Sequence, residues 1–436
     1  MIDYEYTNKS ITPWGGLRLI ADFYERCGLR DAIRALPLPE PGSNRGYHPS
    51  ELIDGFLTSV LLGARRFSHS GTLRHDEVIK EIFGWSKGMA SQSTFSRFFR
   101  KFSLADNDAI FRQINRWWFD QQKIDKYTLD MDSTVITRYG EQVGVEKGYN
   151  SKKHGRGSHH PLMAFVAEVR MVVQAWMRTG DSASGTLMKD FFDEVLAVLD
   201  TNRIGLIRAD SGFYGDENLR YFENKDLTYI ISAKMNRGLV QTIYDQKGWL
   251  TTQDGIDYCV FYKTAIGWEK PRRFVVVRKD ASKLEKSGGK TLFPEYDEFS
   301  KYRYSAFVTN SKLSGDLIWQ LYKQRANAEN QIKELKENYG IEGFCSESFE
   351  ATESAFRWAM VAYNLMSLFK LMVVKSKSFP MLSTLKFQCI AIGGYIVRRS
   401  RKSVLKLAVQ DKRRGFLDKL FLNLSGTEPP FHFSNA

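Results

Sequence analysis

The hydrophobic pattern of this chain changes period once, near Lys126, and the change limits what each part can become. From about Ile11 to Trp118 apolar residues return every three or four positions, as in HPSELIDGFLTSVLLGARRF and GTLRHDEVIKEIFGW, which is the spacing of one helix face. Pro49 and Ser50 are well placed to start the first of these helices. From Lys126 the period is two. In KYTLDMDSTVIT, Tyr127, Leu129 and Met131 alternate with Thr128, Asp130 and Asp132, so both acids lie on the same face of a strand. An all-helical region therefore precedes a sheet-bearing one.

Two apolar runs follow, LMAFVAEV and MVVQAWMR, parted by Arg170, and read as further strands of the same sheet. Next, SGTLMKDFFDEVLAVLD makes an amphipathic helix, RIGLIRAD an apolar strand ending in acid, and LTYIISAK another strand. Asp210 stands at the carboxyl end of RIGLIRAD, before Ser211 and Gly212, where open α/β sheets expose their sites. The other reading makes it the cap of a helix beginning near Gly215. Between Met235 and Thr309 come more strands, including YCVFYKT, RRFVVVRK and YSAFVTN, with a charged, glycine-containing loop near Glu285–Lys290. Trp249 and Trp268 in this interval read as core aromatics, with stacking on an unpaired base as the alternative.

Formal net charge is +13 over 436 residues, with basic residues recurring along the whole length, and this implies a polyanionic partner. Nucleic acid is the first candidate. No apolar run is long enough to span a bilayer and MIDYEYTNKS is no signal peptide, so a cytoplasmic protein is expected. Four scattered cysteines show no C-x-x-C pairing and read as buried thiols. In SQSTFSRFFRKF, Ser91 or Ser93 caps a short helix with Phe95, Phe98, Phe99 and Phe102 inward and Arg97, Arg100 and Lys101 outward. That helix is either a recognition helix or a core helix with a solvated basic face. The loop RYGEQVGVEKGYNSKKHGRGSHHP, with Lys152, Lys153 and Arg156, is a substrate-contacting loop or a solvated excursion. Its pair His159 and His160 suits DNA contact or packing beside the active site better than metal ligation. The tail turns basic at Arg398, Arg399, Arg401, Lys402, Lys406, Lys412, Arg413 and Arg414, either a solvated face or a phosphate contact.

The stretch YKQRANAENQIKELK, residues 322–336, reads as one helix. At about 100° per residue, Tyr322, Arg325, Glu329 and Lys336 fall within about 60° of one another, with Leu321, Ala328 and Leu335 turned toward a core. A carboxylate held between two cations suits gripping a metal ion and a phosphodiester together. Ordinary salt-bridge spacing on a solvated helix is the plain alternative.

Asp132, Asp210 and this Tyr-Arg-Glu-Lys stretch occur in that order, with KGYNSKKHGRGSHHPL between the first two acids. From about Lys126 to Leu371 the chain thereby resembles a DDE transposase of the insertion-sequence-1380 family, within the group whose last acid lies in a Tyr-Arg-Glu-Lys signature. The family's first acid precedes a Ser/Thr pair, here Ser133–Thr134, which favours Asp132 over Asp130. The resemblance implies an α/β fold with a ribonuclease-H-like catalytic core, in keeping with the order strand, strand, strand, helix, strand, helix, strand. The implied division is a helical DNA-binding region over 1–120, a catalytic domain over 121–372 with a β-rich insertion over 235–310, and a basic helical region over 373–436. It further implies Asp132, Asp210 and Glu329 as catalytic and metal-binding acids for two Mg²⁺ ions, with Mn²⁺ able to substitute. Tyr322, Arg325 and Lys336 would contact phosphate, joined by Arg97, Arg100, Lys152, Lys153 and Arg156. The expected activity is cleavage and transfer of double-stranded DNA at terminal inverted repeats, by a homodimer in a synaptic complex in the bacterial cytoplasm.

Overall fold

The computed structural model describes residues 2–43, 45–150, 153–252, 254–280, 301–400 and 402–433; Lys152, the Glu285–Lys290 loop and Arg401 lie outside the described residues. Among the amino-terminal helices are α1 (Leu17–Arg26), α2 (Pro49–Leu61), α3 (Gln92–Phe99) and α4 (Leu104–Asp120). Each start has a local cause. His48 caps α2 with Pro49 in its first turn, Ser91 caps α3 by accepting from the Thr94 N–H, and Ser103 with Asp106 forms a capping box on α4. Phe95, Phe98, Phe99 and Phe102 are all buried, as the spacing predicts.

The sheet begins with β1 (Tyr127–Ser133), β2 (Leu162–Val166) and β3 (Met171–Trp176), each antiparallel to the next. Helix α5 (Met188–Leu199) then carries the chain to β4 (Ile204–Ala209), which lies parallel to β1. A second helix, α6 (Asp216–Asn224), leads to β5 (Tyr229–Ser232), parallel to β4. The strands of the 235–310 interval, β6 (Leu250–Thr251), β7 (Asp257–Lys263), β8 (Arg272–Asp280) and β9 (Tyr302–Thr309), extend this same sheet. Among the described residues the order is β6-β7-β8-β9-β5-β4-β1-β2-β3, nine strands with the two acid-bearing ones side by side near the middle.

After β9 come α7 (Gly315–Lys323), α8 (Ala326–Asn338) and the long α9 (Phe349–Phe369), buried from Ala351 through Phe369. A helix apolar on every side needs partners on every side. Helix α9 has the sheet on one flank, where Asn364 accepts from the Val172 N–H and donates to its carbonyl, both at 2.8 Å. On another flank its Trp358 ring meets Phe111 of α4 at 5.3 Å. Lys370, just past its end, pairs with Glu334 of α8 at 2.8 Å, so the helix that carries Glu329 is braced from behind.

The basic tail departs from the helical expectation. Gly394–Arg399 and Lys402–Leu407 form an antiparallel hairpin whose first strand also pairs with Ile11–Thr12. The β-branched Ile396, Val397 and Val404, with Ser400 at a positive φ of 47° in the turn, favour strand over helix. Among the described residues beyond it, α10 (Asp411–Ser425) is helical, burying Leu417, Leu420 and Leu424, and Arg26 of α1 donates to the Ser425 carbonyl at its end.

Candidate active site

The parallel register of β1 and β4 pairs Asp130 with Arg208 and Met131 with Ala209. One residue further on, Asp132 and Asp210 therefore stand at the same edge of neighbouring strands. Asp132 Oδ1 accepts from the Ser133 N–H at 2.8 Å, and Oδ2 lies 3.0 Å from Arg325 Nη2. Arg325 Nη1 is 3.5 Å from Glu329 Oε1, so this one guanidinium links the first acid to the third. Burial pushes the Asp132 carboxyl up to about 6, and the charges of Asp210 and Glu329 add to that rise while Arg325 and the Ser133 N–H oppose it. Asp132 thus feels the other two acids, although among the described residues no three His, Cys, Asp or Glu side chains converge closely enough to hold a metal ion.

Asp210 Oδ1 accepts from the Gly212 N–H at 2.9 Å, which is a cap on the short turn 211–213 and not on the helix beyond Gly215. A Cβ at Gly212 would fall 2.6 Å from Ser184 Cβ and 2.9 Å from Asp210 Oδ1, so only glycine lets the chain pass here. Ser184 in turn meets Ser133, hydroxyl to hydroxyl, at 2.7 Å. This serine pair ties the loop after β3 to the end of β1, and the sequence carries no signal that marks it.

The signature is not one helical stripe. Helix α7 ends at Lys323 and α8 begins at Ala326, which corrects the single helix expected over 322–336. The cause is Arg208. Its Nε and Nη2 hold the Asp130 carboxylate at 2.6 and 2.8 Å in a pair with almost no solvent exposure, while Nη1 donates to the Leu321 carbonyl at 2.6 Å. In an unbroken helix that carbonyl would receive the Arg325 N–H, which instead donates to Tyr322 O at 2.9 Å. Asp130 is thereby committed to a buried ion pair and takes no place among the acids facing outward. The hint in the sequence is a lone charge inside the apolar run GLIRA, which demands a buried partner.

Breaking the stripe redistributes its members. The Tyr322 hydroxyl donates to the Ala209 carbonyl at 3.2 Å and its ring packs 4.4 Å from Phe307, so this phenol braces β4 beside Asp210. Lys336 Nζ donates to the Val135 carbonyl at 2.8 Å and lies 3.3 Å from Glu342, joining α8 to the exit of β1. Arg97 is exposed on α3, and Arg100 just beyond it is 3.3 Å from Glu347.

The glycine-rich segment after β1 folds into three short antiparallel strands, Ile136–Thr137, Glu146–Lys147 and Gly157–His159. Lys153 and Arg156 gather over the Tyr139 ring at 4.8 and 5.9 Å. His159 is a packing residue. Its Nδ1 accepts from Arg138 Nε at 3.1 Å, its Nε2 donates to the Val143 carbonyl at 3.1 Å, and burial followed by the Arg138 charge pushes its pKa down to about 4. His160 meets Ser158 and the Ser182 carbonyl in the same way. Trp249 lies under the Arg278 guanidinium at 4.1 Å and Trp268 stacks on Phe274 at 5.8 Å, as core aromatics do.

A family model described as "Transposase DDE domain group 1" matches residues 2–428. The cryo-EM structure of a piggyBac transposase synaptic complex with hairpin DNA aligns over 97% of this chain and 88% of that one, at 10% identity and a TM-score of 0.45. No curated protein matches the sequence. No helix among the described residues is long and apolar enough to cross a membrane.

Proposed function

We propose that this chain, which belongs to the family of transposase DDE domain group 1, cuts and rejoins DNA with Asp132, Asp210 and Glu329 as its catalytic acids. The observation that carries the assignment is the parallel register of β1 and β4, which sets Asp132 beside Asp210, with Arg325 bridging Asp132 and Glu329. The strand order, three antiparallel strands followed by two parallel ones across a helix, supports a ribonuclease-H-like core. Tyr322, Arg325, Glu329 and Lys336 support placement in the insertion-sequence-1380 family. The partners are terminal inverted repeats and target DNA, engaged by a homodimer that brings two ends together in a bacterial cytoplasm.

Three carboxylates supply only oxygen ligands, the donor set that Mg²⁺ prefers, and their mutual repulsion at Asp132 fits a site completed by cations. Drawn closer together than they stand here, Asp132, Asp210 and Glu329 would hold two Mg²⁺ ions, which when bound would neutralise the reacting phosphate and acidify a water. The chain's own residues do the rest. Arg325 keeps the buried Asp132 charge compensated while the site is empty of substrate, and its planar fork is then available to a phosphate oxygen. Lys336 fixes the exit of β1, Tyr322 fixes the end of β4, and Arg208 sets where α8 starts. Incubating a labelled duplex that carries the element's own end with the protein and Mg²⁺ tests the proposal. Nicks at the element boundary followed by joined products support it, nicks alone indicate a nuclease without strand transfer, and intact DNA contradicts it.

A further inference from the structure

A groove of about 620 Å³ opens between α3, the three-stranded segment after β1 and the turn after α8. Arg66, Gln92, Ser96, Arg138, Tyr139 and Glu342 are on its walls. At one end stands Glu342, which pairs with Lys336 of α8 at 3.3 Å. At the other end Gln92 and Ser96 also border a shallower hollow of about 480 Å³ that holds Arg97 and Arg100. Sharing Gln92 and Ser96, the two hollows make one track from the turn after α8 to α3. Its wall is built tightly: a Cβ on Gly343 would fall 2.0 Å from the Arg65 carbonyl oxygen.

Arg138 is only 5% exposed. Its Nε donates to His159 and its Nη1 to the Glu342 carbonyl at 2.6 Å, but buried Nη2 has no hydrogen-bond partner among the described residues. Leaving such a donor unmet costs about 1–3 kcal/mol, more when the group is charged. An anionic oxygen entering the groove would satisfy it. Arg66, Arg97, Arg100 and Arg138 outnumber the acids along the track, of which Glu342 is paired to Lys336 and Glu347 to Arg100. Donors strung over two adjoining hollows suit an extended polyanion better than a single small anion.

We propose that this track seats the phosphodiester backbone of a DNA strand passing along α3 and the turn after α8, with the Arg138 guanidinium beneath one phosphate. The proposal rests on the function above for its choice of ligand. Phosphate contact is independent of base sequence, so the probe is a fluorescein-labelled duplex of mixed sequence, titrated at several salt concentrations. Gln92→Glu puts a charge on the wall in the first turn of α3, where an acid favours the helix, and Ser96→Glu puts one a turn further on, four residues before Arg100, so folding is preserved. Leu422→Glu, on the exposed side of α10, adds the same charge elsewhere. Both wall variants are expected to bind about tenfold more weakly than Leu422→Glu, and Arg138→Gln, which removes one cation, to show a salt slope lower by about one. Wall variants that bind as tightly as Leu422→Glu overturn the proposal. If the wild type meanwhile cuts element ends, only the track is lost; if it binds no duplex at all, the function falls with it.

Discussion

Arg208 illustrates how a buried residue behind the proposed acids sets where the helix bearing one of them starts. Arg208→Met leaves the Asp130 carboxylate buried without its counter-charge, a change that costs about 3–5 kcal/mol. Arg208→Met combined with Asp130→Leu removes both charges and is expected to recover most of that stability in urea unfolding. Cleavage should stay slow in the double variant, because the Leu321 carbonyl again competes for the Arg325 N–H and Glu329 swings away. A double variant with wild-type kcat would assign Arg208 to stability alone. Gly212→Ala drives a methyl into Ser184 and Asp210 and is expected to cost about 1–3 kcal/mol. Adding Ser184→Gly should return part of that loss, measured as a rise in Tm.

The segment between β1 and β2 has its own pH dependence. His159 titrates at about 4 in the fold against an ordinary 6.5, so between those values the unfolded chain binds more protons than the native one. Stability from this group is therefore full above about pH 6.5 and is lost as pH falls toward 4, by at most about 3 kcal/mol at roughly 1.4 kcal/mol per unit. His159→Gln should flatten the unfolding free energy across that window; an unchanged slope would place the titration elsewhere. Periodicity shows this segment only as a long polar loop, since its strands are two or three residues long and are held by Arg138, His159 and backbone contacts. The break between α7 and α8 is equally hidden. Local spacing in YKQRANAENQIKELK favours one helix, and the competing donor, Arg208, lies 113 positions from the carbonyl it takes.

The two ends of the chain meet. Ile11–Thr12 pairs with the 394–399 strand, Gln122–Lys123 pairs with Phe431–His432, and α10 lies along α1. Removing residues 394–436 uncovers the buried apolar residues of α1 and leaves an unpaired strand, so the shortened chain is expected to aggregate or to melt several degrees lower. A shortened chain with wild-type Tm would make the tail an independent appendage. The change of period at Lys126 places β1 closely, and the apolar run ending at Asp210 places β4, because each is set by local alternation or burial. Their adjacency and register depend on residues some 78 positions apart, Asp130 and Arg208, which no local pattern reports. The 394–407 hairpin differs: its β-branched residues and tight turn are local signals for strand, and only its third strand, Ile11–Thr12, lies almost the length of the chain away.

The central claim is that Asp132, Asp210 and Glu329 act together on DNA. Cleavage of an element-end duplex in Mg²⁺, by wild type and by Asp132→Asn, Asp210→Asn, Glu329→Gln and Asp130→Asn, tests it most directly, with binding of the same duplex measured in parallel. The expected result is that the first three variants bind and do not cut, while Asp130→Asn keeps cutting at a rate reduced in step with its lower stability. Glu329→Gln cutting as fast as wild type, or Asp130→Asn matching the Asp132 variant in full loss at unchanged stability, would contradict it.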